Sequence, residues 1–160
     1  MKNSLRKSGW KYYTSASYFI TINVKPRKPW FGSLTEKGVH LSPIGTIVLD
    51  RLQATNEMYS HVSLDHFIIM PDHIHFILQF DPSTDHFAFG NSEFDPQKGN
   101  LGNVVNSFKR KTTKLVREIH PSFKWQRNYH DRVIHDHDTL IELRRYIQQK
   151  PRRAWERLKG

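Results

Sequence analysis

These 160 residues predict an α+β fold, an antiparallel sheet with helices on one face, and three observations predict it. Runs rich in aromatic and β-branched residues alternate with runs of helical period, in the order strand, helix, strand, strand, helix, strand, helix. Little more than Pro71 and Asp72 separates the two middle strands, so they form an antiparallel hairpin. The chain is long enough to bury one core and has no internal repeat, so residues 1–160 are expected to form a single domain.

The first strand is "SYFITINV", Ser17 to Val24, followed by the loop "KPRKPWFGS" with its two prolines and glycine. Ser42 and Pro43 form an N-cap and first-position pair. Ile44, Ile47, Val48 and Leu52 recur at helical spacing behind them, which predicts a helix over 43–58. "HVSLDHFIIM" and "HIHFILQF" are the hairpin strands. Residues 81–100 hold two prolines, two glycines and four acidic residues and read as a long loop with three phenylalanines. Leu101, Val104, Val105, Phe108, Leu115, Val116 and Ile119 mark a second helix whose other face is basic. "FKWQRNYHDRVI" reads as a strand. "HDTLIELRRYIQQ" reads as a helix capped near Asp136 or Asp138, which should end or kink at Lys150 before Pro151 and leave 152–160 as a basic tail. The first six elements match the split βαβ pattern of a ferredoxin-like sandwich, and the C-terminal helix is an addition to it.

The chain has no cysteine, which removes disulfides and thiolate metal sites. No apolar run approaches the roughly 20 residues of a bilayer span, so a soluble cytoplasmic protein without a membrane partner is expected. The net charge of +10 is concentrated C-terminally: residues 101–160 carry fifteen Lys/Arg against six Asp/Glu. Such a block marks either a polyanion partner or a merely soluble surface.

"MPDHIHF" places His73 and His75 on one face of a strand, about 7 Å apart at Cα. Two imidazoles so placed can share a divalent cation, or can simply face solvent with Ile74 and Phe76 in the core. Tyr146, beside Leu143 and Ile147, reads equally as a packed residue with a wet hydroxyl.

"MPDHIHFIL" and "RRYIQQKPRRA" together resemble the "MPNHxH" and "YIxxNPxxA" segments of the single-tyrosine HUH transposases, in the branch of IS200-like enzymes associated with repetitive extragenic palindromes (REP). "YFITINV", "NVVNSFKRKTTKLVRE" and "WQRNYHDRVI" extend the resemblance over most of residues 16–155. It implies that Tyr146 is the nucleophile and that His73 and His75 are ligands of Mg²⁺ or Mn²⁺. It further implies an endonuclease that cleaves and rejoins single-stranded or hairpin DNA through a 5′-phosphotyrosine, with monomer and homodimer both open. The chemistry is coherent, because a phenol holds its proton to about pH 10 and a cation on the phosphate oxygens would favour attack at phosphorus.

The sequence departs from the family where an Asn usually follows the tyrosine by four residues and supplies the third ligand: here it is Lys150, which has no acceptor while protonated. Three explanations stand: Gln149 substitutes as ligand, Lys150 holds the phosphate as a point charge, or the site has decayed to a DNA-hairpin-binding protein. Asp72 also replaces the usual Asn. Lys109, Arg110, Lys111, Lys114 and Arg117, with Arg144, Arg145, Lys150, Arg152 and Arg153 and then Arg157 and Lys159, are expected phosphate contacts. Trp125, Tyr129, Trp155 and the loop aromatics are expected either to stack on unpaired bases or to pack in the core.

Overall fold

The computed structural model describes residues 16–81 and 101–160. The expected loop beyond Asp81 therefore lies outside the described residues, its phenylalanines with it. The elements are β1 (Ala16–Asn23), β2 (Gly32–Thr35), β3 (Gly38–Leu41), α1 (Pro43–Met58), β4 (Val62–Ile69), β5 (His73–Phe80), α2 (Leu101–Val116), β6 (His130–Ile134) and α3 (His137–Lys159). Four strands form one sheet in the order β4-β5-β1-β6, with every neighbouring pair antiparallel. That is the strand order of a ferredoxin-like sandwich, with β2 and β3 as a separate hairpin.

Alternation along the strands divides the core in two. Tyr18, Ile20 and Ile22 of β1 and Ile74, Phe76 and Leu78 of β5 face α1 and α2, where they meet Ile44, Val48, Leu52, Leu101, Val104 and Phe108. The intervening residues face α3, where Ile77 and Ile134 pack with Leu143 and Ile147, flanked by Phe19, Ile68 and Tyr146. Burying a side chain as fully as Ile77 or Ile147 contributes about 1.5–3 kcal/mol, so α3 is held mainly by this second apolar layer. α1 and α2 share one sheet face, as expected, and the added helix covers the other.

α1 begins at Pro43, with Ser42 Oγ accepting from Gly45 N at 3.0 Å and donating to Trp30 O at 2.6 Å. A Cβ on Gly45 would run into the Phe31 carbonyl, so glycine lets the first turn sit against that segment. α2 stops at Val116, so Ile119 lies beyond it and is exposed, as is Leu115.

Two expectations are corrected. The stretch after β1 is not loop throughout: Gly32–Leu41 pairs as a two-stranded hairpin, closed by Thr35 Oγ1 donating to Gly38 O at 2.8 Å. Two strands of four residues are too short to show a period in sequence. The last helix neither ends at Lys150 nor leaves a tail, but runs through Pro151 to Lys159. Proline inside a helix costs about 3 kcal/mol. Here its ring is buried, and it lines a cleft of ≈ 530 Å³ between α3 and residues 36–38 of the hairpin, contact that offsets the lost backbone bond. Of the two readings open for Trp125 and Tyr129, packing is the one observed: both are core residues. The Trp125 ring lies within 6 Å of Phe31, Phe108 and Phe123, so neither aromatic is free to stack on a base. Among the described residues no helix is long and apolar enough to cross a membrane.

Candidate active site

β1 and β5 pair so that Asn23 lies opposite His73 and Thr21 opposite His75, which puts both imidazoles on the α3 face. Each ring is fixed through Nδ1. His73 Nδ1 is 2.7 Å from Asp72 Oδ1, and because a carboxylate only accepts, that nitrogen carries the proton and Nε2 keeps a lone pair. Asp72 is held in turn by Arg27 Nε at 3.1 Å. Burial raises the Asp72 carboxyl, but the hydrogen bonds from Arg27 and His73 outweigh it and hold the group below the usual carboxylate range. His75 Nδ1 pairs with Thr21 Oγ1 at 2.8 Å, and its buried Nε2 has no partner among the described residues.

Both imidazoles are neutral at pH 7. Burial is the first cause for each: it lowers His73 despite Asp72, and with the charges of His73 and Lys150 it takes His75 down to about 3. Two neutral rings with centroids 4.9 Å apart, each oriented through Nδ1, fit a divalent cation as far as they go. They are two donors only. Among the described residues no three His, Cys, Asp or Glu side chains cluster as a metal site, and half-buried Gln149 hydrogen-bonds none of these groups.

α3 brings Tyr146 to the same place. Asp136 caps the helix, its Oδ1 accepting from Thr139 N at 2.7 Å. Arg144 then ties the helix to β4 through two bonds to Asp65, Nε to Oδ2 at 2.8 Å and Nη2 to Oδ1 at 2.6 Å. Asp65 lies at a bulge of β4, between Leu64, which pairs with Leu78, and His66, which pairs with Ile77. One half-turn on, the Tyr146 ring stands 5.5 Å from His75 and 6.0 Å from Phe19, which itself stacks on His75 at 5.3 Å. Lys150 lies one turn further along and donates to Tyr146 Oη at 2.9 Å.

The basic residues separate into two groups. Lys109 and Arg144, expected at phosphates, have other partners: Lys109 Nζ donates to the carbonyls of Gln126 (3.0 Å) and Asn128 (2.9 Å), and Arg144 is held by Asp65. Burial lowers the Lys109 ammonium from its ordinary range. Arg110 and Lys114 are exposed along an open groove of ≈ 610 Å³, with Arg117, whose Nε donates to Phe123 O at 2.9 Å. Lys124 and Arg127 complete its wall, and among the described residues no carboxylate lines it. These last two were missed in the sequence, where the basic residues on either side of Trp125 were their one signal. Gln126 N donates to Asn23 O at 2.7 Å, so the groove lies at the His73 end of the sheet. Lys111 reaches Met58 Sδ at 3.7 Å, Arg145 and Arg153 are exposed, and Arg152 pairs with Glu156 at 3.2 Å.

No family model matches the chain. An uncharacterised protein of Haemophilus influenzae Rd is 29% identical over 162 residues, covering 94% of this chain and 88% of its own length. Among solved structures, a REP-associated tyrosine transposase bound to a REP hairpin superposes with a TM-score of 0.64 at 13% identity, over 93% of this chain and 74% of that one. A candidate transposase of Deinococcus radiodurans R1 superposes with a TM-score of 0.53 at 16% identity, over 90% and 97%. At such identities the likeness is one of architecture: the chain has the fold of a REP-associated tyrosine transposase.

Proposed function

We propose that this chain is a single-tyrosine DNA strand transferase of the HUH type, acting on hairpin-bearing single-stranded DNA in the cytoplasm. The observation that carries the reading is the convergence of Tyr146, seventy-one residues downstream in sequence, on the His75 ring at 5.5 Å, beside His73. A tyrosine packed only for stability has no need of two neutral, pre-oriented imidazoles. The fold shared with a transposase that binds a REP hairpin supports the same substrate class, by analogy of architecture.

In the proposed reaction Tyr146 Oη attacks a phosphodiester. The Oη–P bond forms, the P–O3′ bond breaks, the phenol proton leaves to solvent and the departing 3′ oxygen takes one up. The product is a 5′-phosphotyrosine with a free 3′-hydroxyl, which can reverse the step on the same or another strand without external energy. His73 and His75 would hold a divalent cation through Nε2, and when bound it would neutralise charge on the phosphate oxygens. Thr21 and Asp72 orient the rings, Phe19 backs His75 and Tyr146, and the Asp65–Arg144 pair sets the position of the helix. The groove of Arg110, Lys114 and Lys124 supplies phosphate contacts that position the strand without reading it.

The test is a labelled single-stranded hairpin incubated with the protein and Mg²⁺ or Mn²⁺. The expected result is a covalent adduct that resists denaturation and is absent in Tyr146→Phe. The donor-only Lys150 on Tyr146 favours a second reading, hairpin binding without cleavage. In that case the hairpin binds but no adduct forms with any palindromic substrate, and Tyr146→Phe changes nothing.

A further inference from the structure

We propose that Lys150 is a catalytic residue of the Tyr146 site: its ammonium serves the tyrosine oxygen as that oxygen joins and leaves phosphorus, in place of a third metal ligand. The inference rests on the strand-transfer reading above.

The geometry is specific. Lys150 Nζ lies 2.9 Å from Tyr146 Oη and 5.2 Å from the centroid of the same ring. An ammonium has three donors and no lone pair, so in this bond the tyrosine oxygen is the acceptor. The i, i+4 spacing keeps the two side chains together on one face of α3 without any other element. Lys150 is half-buried, and among the described residues no carboxylate pairs with it. In that it differs from Arg144, held by Asp65, and Arg152, held by Glu156. Its positive charge is therefore directed at one acceptor, the atom that would react.

The role follows in both directions, and Lys150 keeps its proton throughout. In cleavage the ammonium attracts the tyrosine oxygen as it sheds its proton and forms the bond to phosphorus. In rejoining, the 3′-hydroxyl attacks, the P–Oη bond breaks, and the departing phenolate is received by a cation already in place. The proton released by the 3′-hydroxyl then balances the one taken up by Tyr146. Stabilising charge at the atom where it develops is the most effective single contribution a fixed donor makes, and loss of one such donor typically slows a reaction about a hundredfold or more.

The same charge acts on the imidazoles. A divalent ion held on His73 and His75 would share the site with an ammonium that already bears electrostatically on both rings. Even with the dielectric of water, a single and a double positive charge sharing one site repel enough to weaken binding about tenfold. Replacing Lys150 with an amide removes the repulsion and adds an oxygen donor.

The experiment compares wild type with Lys150→Gln in two assays. Mn²⁺ binding to the DNA-free protein is followed by the electron paramagnetic resonance of free Mn²⁺, with His73→Ala as the control that locates the site. Adduct formation and its reversal are timed on a hairpin substrate at saturating Mn²⁺. The expected result is at least about tenfold tighter Mn²⁺ binding in Lys150→Gln, with both covalent steps slowed about a hundredfold. Equal covalent rates, or unchanged or weaker Mn²⁺ binding, in a protein whose wild type does form the adduct, overturn the role of Lys150 alone. A wild type that forms no adduct defeats the strand-transfer reading instead, and the two failures are thereby distinguished.

Discussion

Position on α3 decides whether Tyr146 meets the histidines, and the Asp65–Arg144 pair is where that position can be tested. The carboxylate accepts two bonds from one guanidinium and a third from His66 Nδ1 at 2.8 Å. Buried charge-assisted bonds contribute about 1.5–3 kcal/mol each, whereas exposed ion pairs contribute about 0–1 kcal/mol. Here the Asp65 side chain is 11% exposed and that of Arg144 29%, so water screens the arginine side of the pair. A coupling of about 1–2 kcal/mol is the expected middle value. For a chain of this size that corresponds to roughly 2–8 °C in Tm. The assay is a double-mutant cycle of Asp65→Ala and Arg144→Ala followed by thermal or urea unfolding, with adduct yield measured in parallel. Both single variants should lower adduct yield more than hairpin affinity, because the helix is loosened while the groove is untouched. Additivity of the two stability losses within about 0.5 kcal/mol would refute the idea that the pair pins α3. A pH readout accompanies it. Burial raises the Asp65 carboxyl, but the hydrogen bonds from Arg144 and His66 outweigh it and leave the group below its ordinary 3.8. Its stabilising contribution is therefore present above about pH 4 and is lost as pH falls through the folded-state value, and Asp65→Asn should flatten that part of the acid-unfolding curve.

The remaining predictions concern charge and packing. Neutralising Arg110 and Lys114 to Gln should reduce the slope of log hairpin affinity against log salt by about 0.7–0.9 per contact. Lys109→Met should leave the slope unchanged and lower stability, since its ammonium holds the carbonyls of Gln126 and Asn128; binding titrations across salt concentrations decide between them. Trp125→Ala should cost about 3–5 kcal/mol of stability, the mark of a core aromatic, measured by urea unfolding. A stacking residue would instead lose hairpin affinity at constant stability.

Much of the architecture was legible in the sequence because its signals are local. Ser42–Pro43 marks the start of α1, alternation marks β4 and β5, and the spacing of Leu101, Val104, Val105 and Phe108 marks α2. The β2–β3 hairpin was not legible, because four residues a strand is too short for a period to show. Nor was the passage of α3 through Pro151, where burial against that hairpin overrides the local preference. Lys109 and Arg110 are neighbours in a basic run and both line the groove, yet the Lys109 ammonium is tied to two carbonyls while Arg110 is exposed.

The sequence by itself determined the sheet and its helices, since side-chain alternation and helical period are properties of adjacent residues, and the resemblance it carries nominated His73, His75 and Tyr146 as candidates. Tertiary structure decided what those residues can do together. Arg144 of α3 meets the Asp65 carboxylate of β4, and Tyr146 is set beside His75 with the charge of Lys150 on its oxygen. The Asp65–Arg144 and His75–Tyr146 contacts join positions seventy or more residues apart, and only the packing of α3 on the sheet brings them together.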